Sequence, residues 1–531
     1  MSISKIDENL CRGCGICVDT CPEDVIRLNT DPLDVELRSP CAMGCPAGVS
    51  VRRYSYFIEM DMMEEAIEAF REYNPFPAVT GRICNHKCES KCARNDLDGA
   101  VNINALERYM GDYFTGEKAD PVRIRFNEET AVIGSGPAGL SCAYYLCRKG
   151  YKVTVFEKAE KAGGMLSQAL PDFRLPRDVV EDQIRYLKEM GVEFKCGCEI
   201  GKDIGLSELK EMGFKGIFIA AGLQYGGKLN IPGDDAEGVM SGIDFSKKVY
   251  SGESAGSLGR VVVIGGGNIG ADVARTAVRQ GADSVRLFCL ESYDEMPMGP
   301  DDRKECEEDG IEIHAGWGQT EIISKDGRCS SISFRKCLSV INGGRFAPQF
   351  DDAISESAEC DTVLFCIGQR PDVQGMLENS GIELTERGFI KADPLTLQTS
   401  VEGIFAGGDI YSGQKFVVDA IAAGREAAES IDRMYSGKDL KEGRDSDLRV
   451  RNAPKEGVVL FTRQEPEKGK IFTENEARLE AQRCMTCGSR AEIKYAEDCM
   501  LCLYCERDCP NQAIYVSPDR PARRTAPWDL A

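Results

Sequence analysis

Two cysteine ladders, one at each end, constrain this chain more than any other feature. Cys11, Cys14, Cys17 and Cys21, followed by Pro22, read C-x2-C-x2-C-x3-C-P, and Cys499, Cys502, Cys505 and Cys509, followed by Pro510, repeat that spacing. Three thiolates so placed wrap one corner of an iron–sulfur cube. The fourth, just before proline, turns away and ligates the other cluster of a two-cluster module. Zinc prefers paired C-x2-C arms and is the weaker reading. The fourth-ligand geometry therefore predicts that the two termini are halves of one small module. Cys11, Cys14, Cys17 and Cys509 would hold one [4Fe–4S] cluster, and Cys499, Cys502, Cys505 and Cys21 the second. The alternative is that each half pairs with a similar half in another subunit.

Composition fits that demand for thiolate. The chain has 531 residues and 25 cysteines but only 2 histidines, which argues against histidine-rich zinc or haem chemistry. The length suggests about three to five domains. Lys and Arg number 65 against 87 Asp and Glu, a net charge of −22 with no strongly basic run, so a general nucleic-acid binder is excluded. No apolar stretch reaches the roughly 20 residues of a transmembrane helix, and the N-terminus lacks the apolar core of a signal peptide. A cytoplasmic chain with reduced thiols is expected.

Further cysteines form a second group. Cys41 and Cys45 precede a helix-patterned stretch, VRRYSYFIEMDMMEEAIEAFREY, and Cys84, Cys88 and Cys92 follow it. Thiolates three to four apart share a helical side or its adjoining turn, so a small helical cluster-binding domain is predicted. Cys484 and Cys487 end another helical run, ENEARLEAQRC.

Between these groups lie two nucleotide folds. TAVIGSGPAGLSCAYYL reads as a strand entering Gly134-x-Gly136-x-x-Gly139 and then a helix, with Glu157 closing the next strand, where it would accept from a ribose hydroxyl. RVVVIGGGNIGADVARTA, with Gly265, Gly267 and Gly270, is a second fingerprint. Two such folds in one chain imply a flavin and a nicotinamide. GIFAGGDIYSGQKFVVDAIAAG adds Gly408 and Asp409, suited to a ribityl hydroxyl, and a helix beginning near Val417 whose amides would approach the flavin's pyrimidine edge.

With these residues in place, the chain resembles the small (beta) subunit of glutamate synthase and its relatives among dihydropyrimidine dehydrogenases and NADH-dependent ferredoxin oxidoreductases. The matching strings include CPAG at 45–48, PFPAVTGRIC at 75–84, CESKC at 88–92, VNINALE at 101–107 and GSGPAGL at 134–140. GGML at 163–166, PDFRLP at 171–176, GGGNIGAD at 265–272, EMP at 295–297, CIGQRPD at 366–372 and EARLEAQRCMTCG at 476–488 also match. The likeness covers about residues 40 to 490, and the terminal ladders are additions to it. It implies FAD contacts from Pro137, Ala138, Lys158, Gly164, Met165, Leu166, Arg174, Gly222 and Val418. It implies nicotinamide contacts from Asn268, Ile269, Ser292 and Gly368. It also implies two clusters in the helical domain, one on Cys45, Cys84, Cys88 and Cys92. The family's second site uses an RCxxCG pair that normally precedes the position of Cys41; here that string occurs at 483–488. Cys484 and Cys487 are therefore expected to fold back to Cys41, with Glu107 as candidate fourth ligand. An ordinary helix-surface glutamate is the competing reading.

NADPH-using relatives carry arginines after the second fold's second strand, where this chain reads Cys289-Leu290-Glu291-Ser292. Glu291 would repel a 2′-phosphate and accept from a free 2′-hydroxyl, which favours NADH. A dithiol flavoenzyme needs paired cysteines beside the flavin, and AGGMLSQAL has none; Cys142, Cys147, Cys196, Cys198, Cys289, Cys306, Cys329, Cys337, Cys360 and Cys366 are read as structural. An electron relay remains: NADH, FAD and about four [4Fe–4S] clusters, serving a partner redox subunit or ferredoxin within a hetero-oligomer, with no catalytic side chain required. A glutamate synthase small subunit and an electron-transfer scaffold with a vestigial nicotinamide site are the alternatives. The expected fold is α/β: two nested Rossmann-like domains, a helical iron–sulfur domain, and a ferredoxin-like α+β module built from both termini. The expected order begins with a ferredoxin-like half at 1–35 and the helical domain at 36–120. The FAD-binding domain spans 121–240 and resumes at 368–436, interrupted by the NAD(H) domain at 241–367. A linker and return segment follows at 437–490, and the second ferredoxin-like half at 491–531.

Overall fold

The strand–glycine–helix alternation of the central sequence produces two parallel sheets. The computed structural model describes residues 5–7, 10–22, 25–28, 36–227, 230–444, 448–467, 469–488, 490–493, 499 and 502–515. The expected boundary at 35, the end of the charged linker at 445–447 and the tail after 515 lie outside them. The first sheet has the order Ile404–Ala406, Phe214–Ile219, Glu129–Ile133, Lys152–Glu157, Glu193–Cys196. All its pairings are parallel, and its strands other than the edge strand Glu193–Cys196 are mostly buried runs rich in β-branched and aromatic residues, as a sheet covered on both faces requires. The second is inserted between its strands, in the order Glu312–Ala315, Ser284–Cys289, Arg260–Ile264, Thr362–Phe365, Val239–Ser241, also all parallel. An antiparallel sheet of Trp317–Lys325, Arg328–Asn342 and Arg345–Glu359 packs beside it. The chain crosses between the two sheets twice, and the crossings pair with each other as Tyr225–Gly226 and Gln369–Arg370.

The helical domain packs Val51–Glu59, Met63–Arg71, Pro77–Ile83 and Ile103–Tyr113 around Tyr54, Phe57, Phe70, Leu106 and Met110. Its last helix, Glu474–Gln482, arrives from the far end of the sequence, started by a Thr473/Glu476 capping box. Arg483, just beyond it, is fully buried. It donates to Glu480 Oε1 at 2.7 Å and to the carbonyls of Asp98, Gly99 and Ala100 at 2.9, 2.7 and 2.9 Å. A buried guanidinium persists only where such partners replace water, so this contact locks the return segment in place. Alongside it, Leu448–Val450 pairs with Glu36–Arg38.

The two chain ends complete one another. Lys5–Ile6 pairs antiparallel with Ile514–Tyr515, and Ile26–Leu28 with Ala491–Ile493. Val25, Ile26, Ala513 and Ile514 are buried between them with Cys11, Cys17 and Cys505. This module sits on the helical domain: Arg53 Nε donates to the Cys14 carbonyl at 3.2 Å, Arg12 pairs with Glu59 at 3.1 Å, and the Asn511 amide donates to Tyr56 Oη at 3.2 Å.

Candidate flavin, nicotinamide and cluster sites

A cavity of about 450 Å³ opens at the carboxyl ends of the first sheet. Gly134 (φ +100°) makes the turn in a conformation that favours glycine, and a Cβ on Gly139 would lie 1.9 Å from the Gly134 carbonyl, so the helix Pro137–Lys149 packs tightly on its strand. A Cβ on Gly136 would meet nothing within 4 Å, and this open space leaves the helix N-terminus free for a pyrophosphate. Glu157 accepts from the Ser135 amide at 3.0 Å and the Ala159 amide at 2.9 Å, which fixes its carboxylate on the wall. Asp409 stands at the opposite end, its carboxyl pushed up to about 6 by burial, and accepts from the Lys415 amide at 3.2 Å just before the helix Val417–Tyr435. Lys158, Gly164, Met165, Leu166, Gly222, Gly408 and Val417 also line this cavity, with Pro137 and Ala138. The shape and donor set fit a dinucleotide flavin.

Two expected flavin contacts are corrected, and a third is also engaged elsewhere. Gly139 does not reach the cavity, because it packs on the strand. Val418 points into the helical domain's core rather than the cavity, since it follows Val417 by a third of a helical turn. Arg174 lines the cavity, but its guanidinium is bound to Asp272 and Asp302 of the inserted domain.

A second cavity, about 920 Å³, lies over the inserted sheet and is lined by Gly265, Gly267, Asn268, Ile269, Glu291 and Gly368. Ser292 is absent from its wall because its hydroxyl donates to Glu295 at 2.7 Å. The sequence reading missed Gln319, Arg335, Phe346 and Phe350, which the antiparallel sheet brings over the Glu291 end. Only the pairing of strands distant in sequence puts them there. Asn268, Ile269, Gln369, Gln414, Lys415 and Phe416 border both cavities. Among the described residues the one thiol on the flavin cavity's wall is Cys198, whose amide donates to the Glu157 carbonyl at 3.0 Å. That places it beside Glu157, and a single thiol gives no support to dithiol chemistry.

The cysteines of the helical domain form two sets, and the expected membership is corrected. Cys41, Cys92, Cys484 and Cys487 line one cavity. Cys45, Cys84 and Cys88 gather around Glu107, whose charge acts on all three. Cys92 and Glu107 have thus exchanged places relative to the sequence reading. The helix carrying Cys88, Lys87–Ser90, is only four residues long, and Cys92 beyond it is extended (φ −61°, ψ 127°). The spacing of four therefore does not put both thiols on one face. Glu107 is buried, and that burial, reinforced by Glu89 and opposed by Thr80, pushes its carboxyl up to about 8. It is no surface glutamate.

In the terminal module Cys11, Cys14, Cys17 and Cys509 line a common cavity. Cys505 lies beside Cys502, Cys21 and Cys499, and burial first, then those neighbours, push its thiol up to about 12. Backbone amides reach several sulfurs: Ala491 to Cys11 at 3.5 Å, Ala513 to Cys509 at 3.3 Å and Ala453 to Cys487 at 3.2 Å. Such donors favour anionic sulfur. Among the described residues no three His, Cys, Asp or Glu side chains close on a single ion. The wider cavities suit a cube, in which each thiolate takes a different iron. The residues present fit [4Fe–4S] clusters.

Residues 128–424 match the family model for pyridine nucleotide-disulphide oxidoreductases, residues 37–119 that for dihydropyrimidine dehydrogenase domain II with its 4Fe-4S cluster, and residues 4–27 that for a 4Fe-4S binding domain. The chain is 34% identical to the beta subunit of NADP(+)-dependent formate dehydrogenase from Moorella thermoacetica, over 74% of this chain and 60% of that protein. It is 31% identical to the NADPH-Fe(3+) oxidoreductase beta subunit of Geobacter sulfurreducens, over 85% of this chain and 75% of that protein. The glutamate synthase [NADPH] small chain of Halomonas elongata is 33% identical, over 74% of this chain and 87% of that protein. Among solved structures, Mycobacterium tuberculosis FprA in complex with NADPH superposes with a TM-score of 0.50 at 17% identity, over 58% of this chain and 86% of that chain, a likeness of fold. With a family model spanning more than half its length and relatives above 30% identity along most of theirs, this chain belongs to the pyridine nucleotide-disulphide oxidoreductases, as a glutamate synthase small chain-like FAD/NAD(P) iron–sulfur oxidoreductase.

Proposed function

We propose that the chain is an NAD(H)-linked subunit that passes electrons between NADH, FAD and four [4Fe–4S] sites, to or from a partner redox subunit or a ferredoxin. The observation that carries this reading is the common border of the two large cavities, where Asn268, Ile269, Gln369, Gln414, Lys415 and Phe416 serve both. When bound, the flavin supplies the exchange between a two-electron hydride and single electrons. The chain's own role is to position and to exclude water, and it needs no acid or base for that. Ile83, on the flavin cavity's wall, precedes Cys84, and Lys87 lies 5.2 Å over the Phe416 ring beside Cys88, so the first cysteine set adjoins the flavin. The helix Pro40–Gly44 then carries Cys41 and ends at Cys45, joining the two helical-domain sets. The contacts of Arg53, Arg12 and Asn511 with the terminal module continue the series outward.

Support for NADH is the carboxylate of Glu291 at the cavity wall, suited to a free 2′-hydroxyl. On this reading the chain departs from relatives whose names specify NADP or NADPH. Anaerobic mixing with each nucleotide while the flavin band is followed tests both points. NADH is expected to bleach the flavin and then the clusters. A clear NADPH preference overturns the nucleotide choice, and bleaching by neither would favour a scaffold with a vestigial nicotinamide site. Copurification of a glutamine-using large subunit would favour glutamate synthase.

A further inference from the structure

The helix Val51–Glu59 runs along the cysteine sets and carries three buried side chains with an unpartnered donor, Arg52, Tyr54 and Ser55, of which Arg52 and Tyr54 have cysteines beside them. Tyr54 is fully buried, and its hydroxyl has no hydrogen-bond partner among the described residues. It stands within the electrostatic reach of Glu107 and Cys88 on one side and of Cys41 and Cys484 on the other. Arg52 is 8% exposed, lines the cavity of Cys41, Cys92, Cys484 and Cys487, and its Nη1 is buried without a partner. Cys11 of the terminal module and the like-charged Arg490 and Arg53 are also close to it. Among the described residues it makes no ion pair with a carboxylate.

Both features are costly as they stand. A buried hydroxyl left unpaired is unfavourable, and a buried guanidinium without a counter-charge is more so. The burial of Arg52 is severe enough to bring its guanidinium down to about 10. Arg483, elsewhere in this domain, shows how the protein treats a buried arginine that serves the polypeptide: it gives it an acid and three carbonyls. Arg52 and Tyr54 receive neither, and what adjoins them is cysteine. A [4Fe–4S] cluster held by thiolates is an anion, and adding an electron makes it more negative. Donors and positive charge beside it stabilise the reduced form.

Resting on the cluster assignments above, we propose that Arg52 and Tyr54 are potential-setting residues. The free N–H of Arg52, on the wall of the cavity of Cys41, Cys92, Cys484 and Cys487, and the free O–H of Tyr54, beside both cysteine sets, favour the reduced state of the cluster at Cys41, Cys92, Cys484 and Cys487, which makes it the electron sink between the flavin side and the terminal module. The two residues lie two apart on one short helix, so a single element would set the order of potentials along the relay.

The test uses the loaded, full-length protein in a mediator-poised EPR titration, with the signal of this site identified as the one lost in Cys484→Ser. Tyr54→Phe removes one oxygen and no shape, and Arg52→Gln removes the charge. With iron and flavin content unchanged, each is expected to lower the reduced-to-oxidised ratio of that signal at fixed potential. For Arg52→Gln the expected change is roughly tenfold, which is 59 mV for a one-electron couple. Arg52→Lys, which keeps the charge, should restore most of it. Unmoved ratios in a fully loaded protein would overturn the proposal. So would a Tyr54→Phe variant that lowers the melting temperature of iron-stripped and loaded protein equally, because the hydroxyl would then serve the polypeptide. Chemical reductants drive the titration, so a failure of NADH to reduce the flavin would count against the proposed function and leave this result readable.

Discussion

At the residue scale the choice of nicotinamide rests on opposite charges at one end of a cavity. Glu291 and Arg335 both line it, and an arginine could in principle grip a 2′-phosphate. Arg335 is partly engaged: its guanidinium stacks 3.9 Å from the Phe350 ring centroid and donates to Asp352 at 2.9 Å, while its Nε has no partner among the described residues. The proposed preference for NADH gives the deciding role to Glu291. Glu291→Arg is expected to lower kcat/KM for NADH and raise it for NADPH, each roughly tenfold or more, as the loss or gain of a charged hydrogen bond implies. Flavin bleaching with both nucleotides checks this, and an unchanged ratio would remove Glu291 from the nucleotide site. Glu291 was legible from the sequence because it lies two residues past the end of the strand Ser284–Cys289. Arg335 and Phe350 were not, since only pairing of Arg328–Asn342 with Arg345–Glu359 brings them to it.

At the scale of the element, short helices decide which thiols share a cluster. Cys88 and Cys92 separate because their helix stops after one turn. Cys92→Ser is therefore expected to remove the same EPR signal as Cys484→Ser, and Cys84→Ser a different one. Loss of one common signal in Cys92→Ser and Cys84→Ser would restore the sorting by spacing. The return helix Glu474–Gln482 gives a second prediction. Asp98 accepts from Arg94 at 2.6 and 2.7 Å and from Arg483 at 3.1 Å. Burial raises its pKa, but Arg94, the Phe461 amide at 3.0 Å and Arg483 outweigh it and hold the carboxyl down at about 2. A carboxylate depressed in the folded state contributes stability that is present above its unfolded value, near 4, and lost as pH falls through 2. Asp98→Asn should cost about 2 kcal/mol at neutral pH, measured by denaturant unfolding, and should flatten acid sensitivity between pH 4 and 2. Unchanged acid sensitivity would mean that Arg94 and Arg483 do not act through this group.

At the scale of the whole molecule two long-range contacts matter. Arg174 of the flavin domain binds Asp272 and Asp302 of the inserted domain at the edge of the flavin cavity. Burial pushes the Asp272 carboxyl up to about 6 despite Arg174. Arg174→Gln is expected to slow flavin reduction several-fold while changing nucleotide affinity less, because the clamp sets how the domains face each other. A loss confined to affinity would assign Arg174 to nucleotide binding. The second contact is the joining of the chain ends. Cys509→Ser should weaken the cluster held with Cys11, Cys14 and Cys17 and spare the other, and the opposite pattern would sink the crossed arrangement.

The local signals in the sequence determined the chemistry. Glycines at the strand–helix turns, the acidic residues closing strands and the cysteine ladders each act within a few residues, so their meaning survives without a fold. The joining of the termini was legible too, because a ladder's fourth thiolate points away from its own three. Tertiary structure alone decided which distant groups meet. It placed Glu107 with Cys45, Cys84 and Cys88, joined Cys92 to Cys41, Cys484 and Cys487, turned Val418 into a different core, and left Arg52 and Tyr54 without partners beside the sulfurs. The reason is physical. Spacing fixes direction only while a helix lasts, and here the helices carrying the cluster cysteines end after one turn or so, leaving packing to choose each side chain's neighbours.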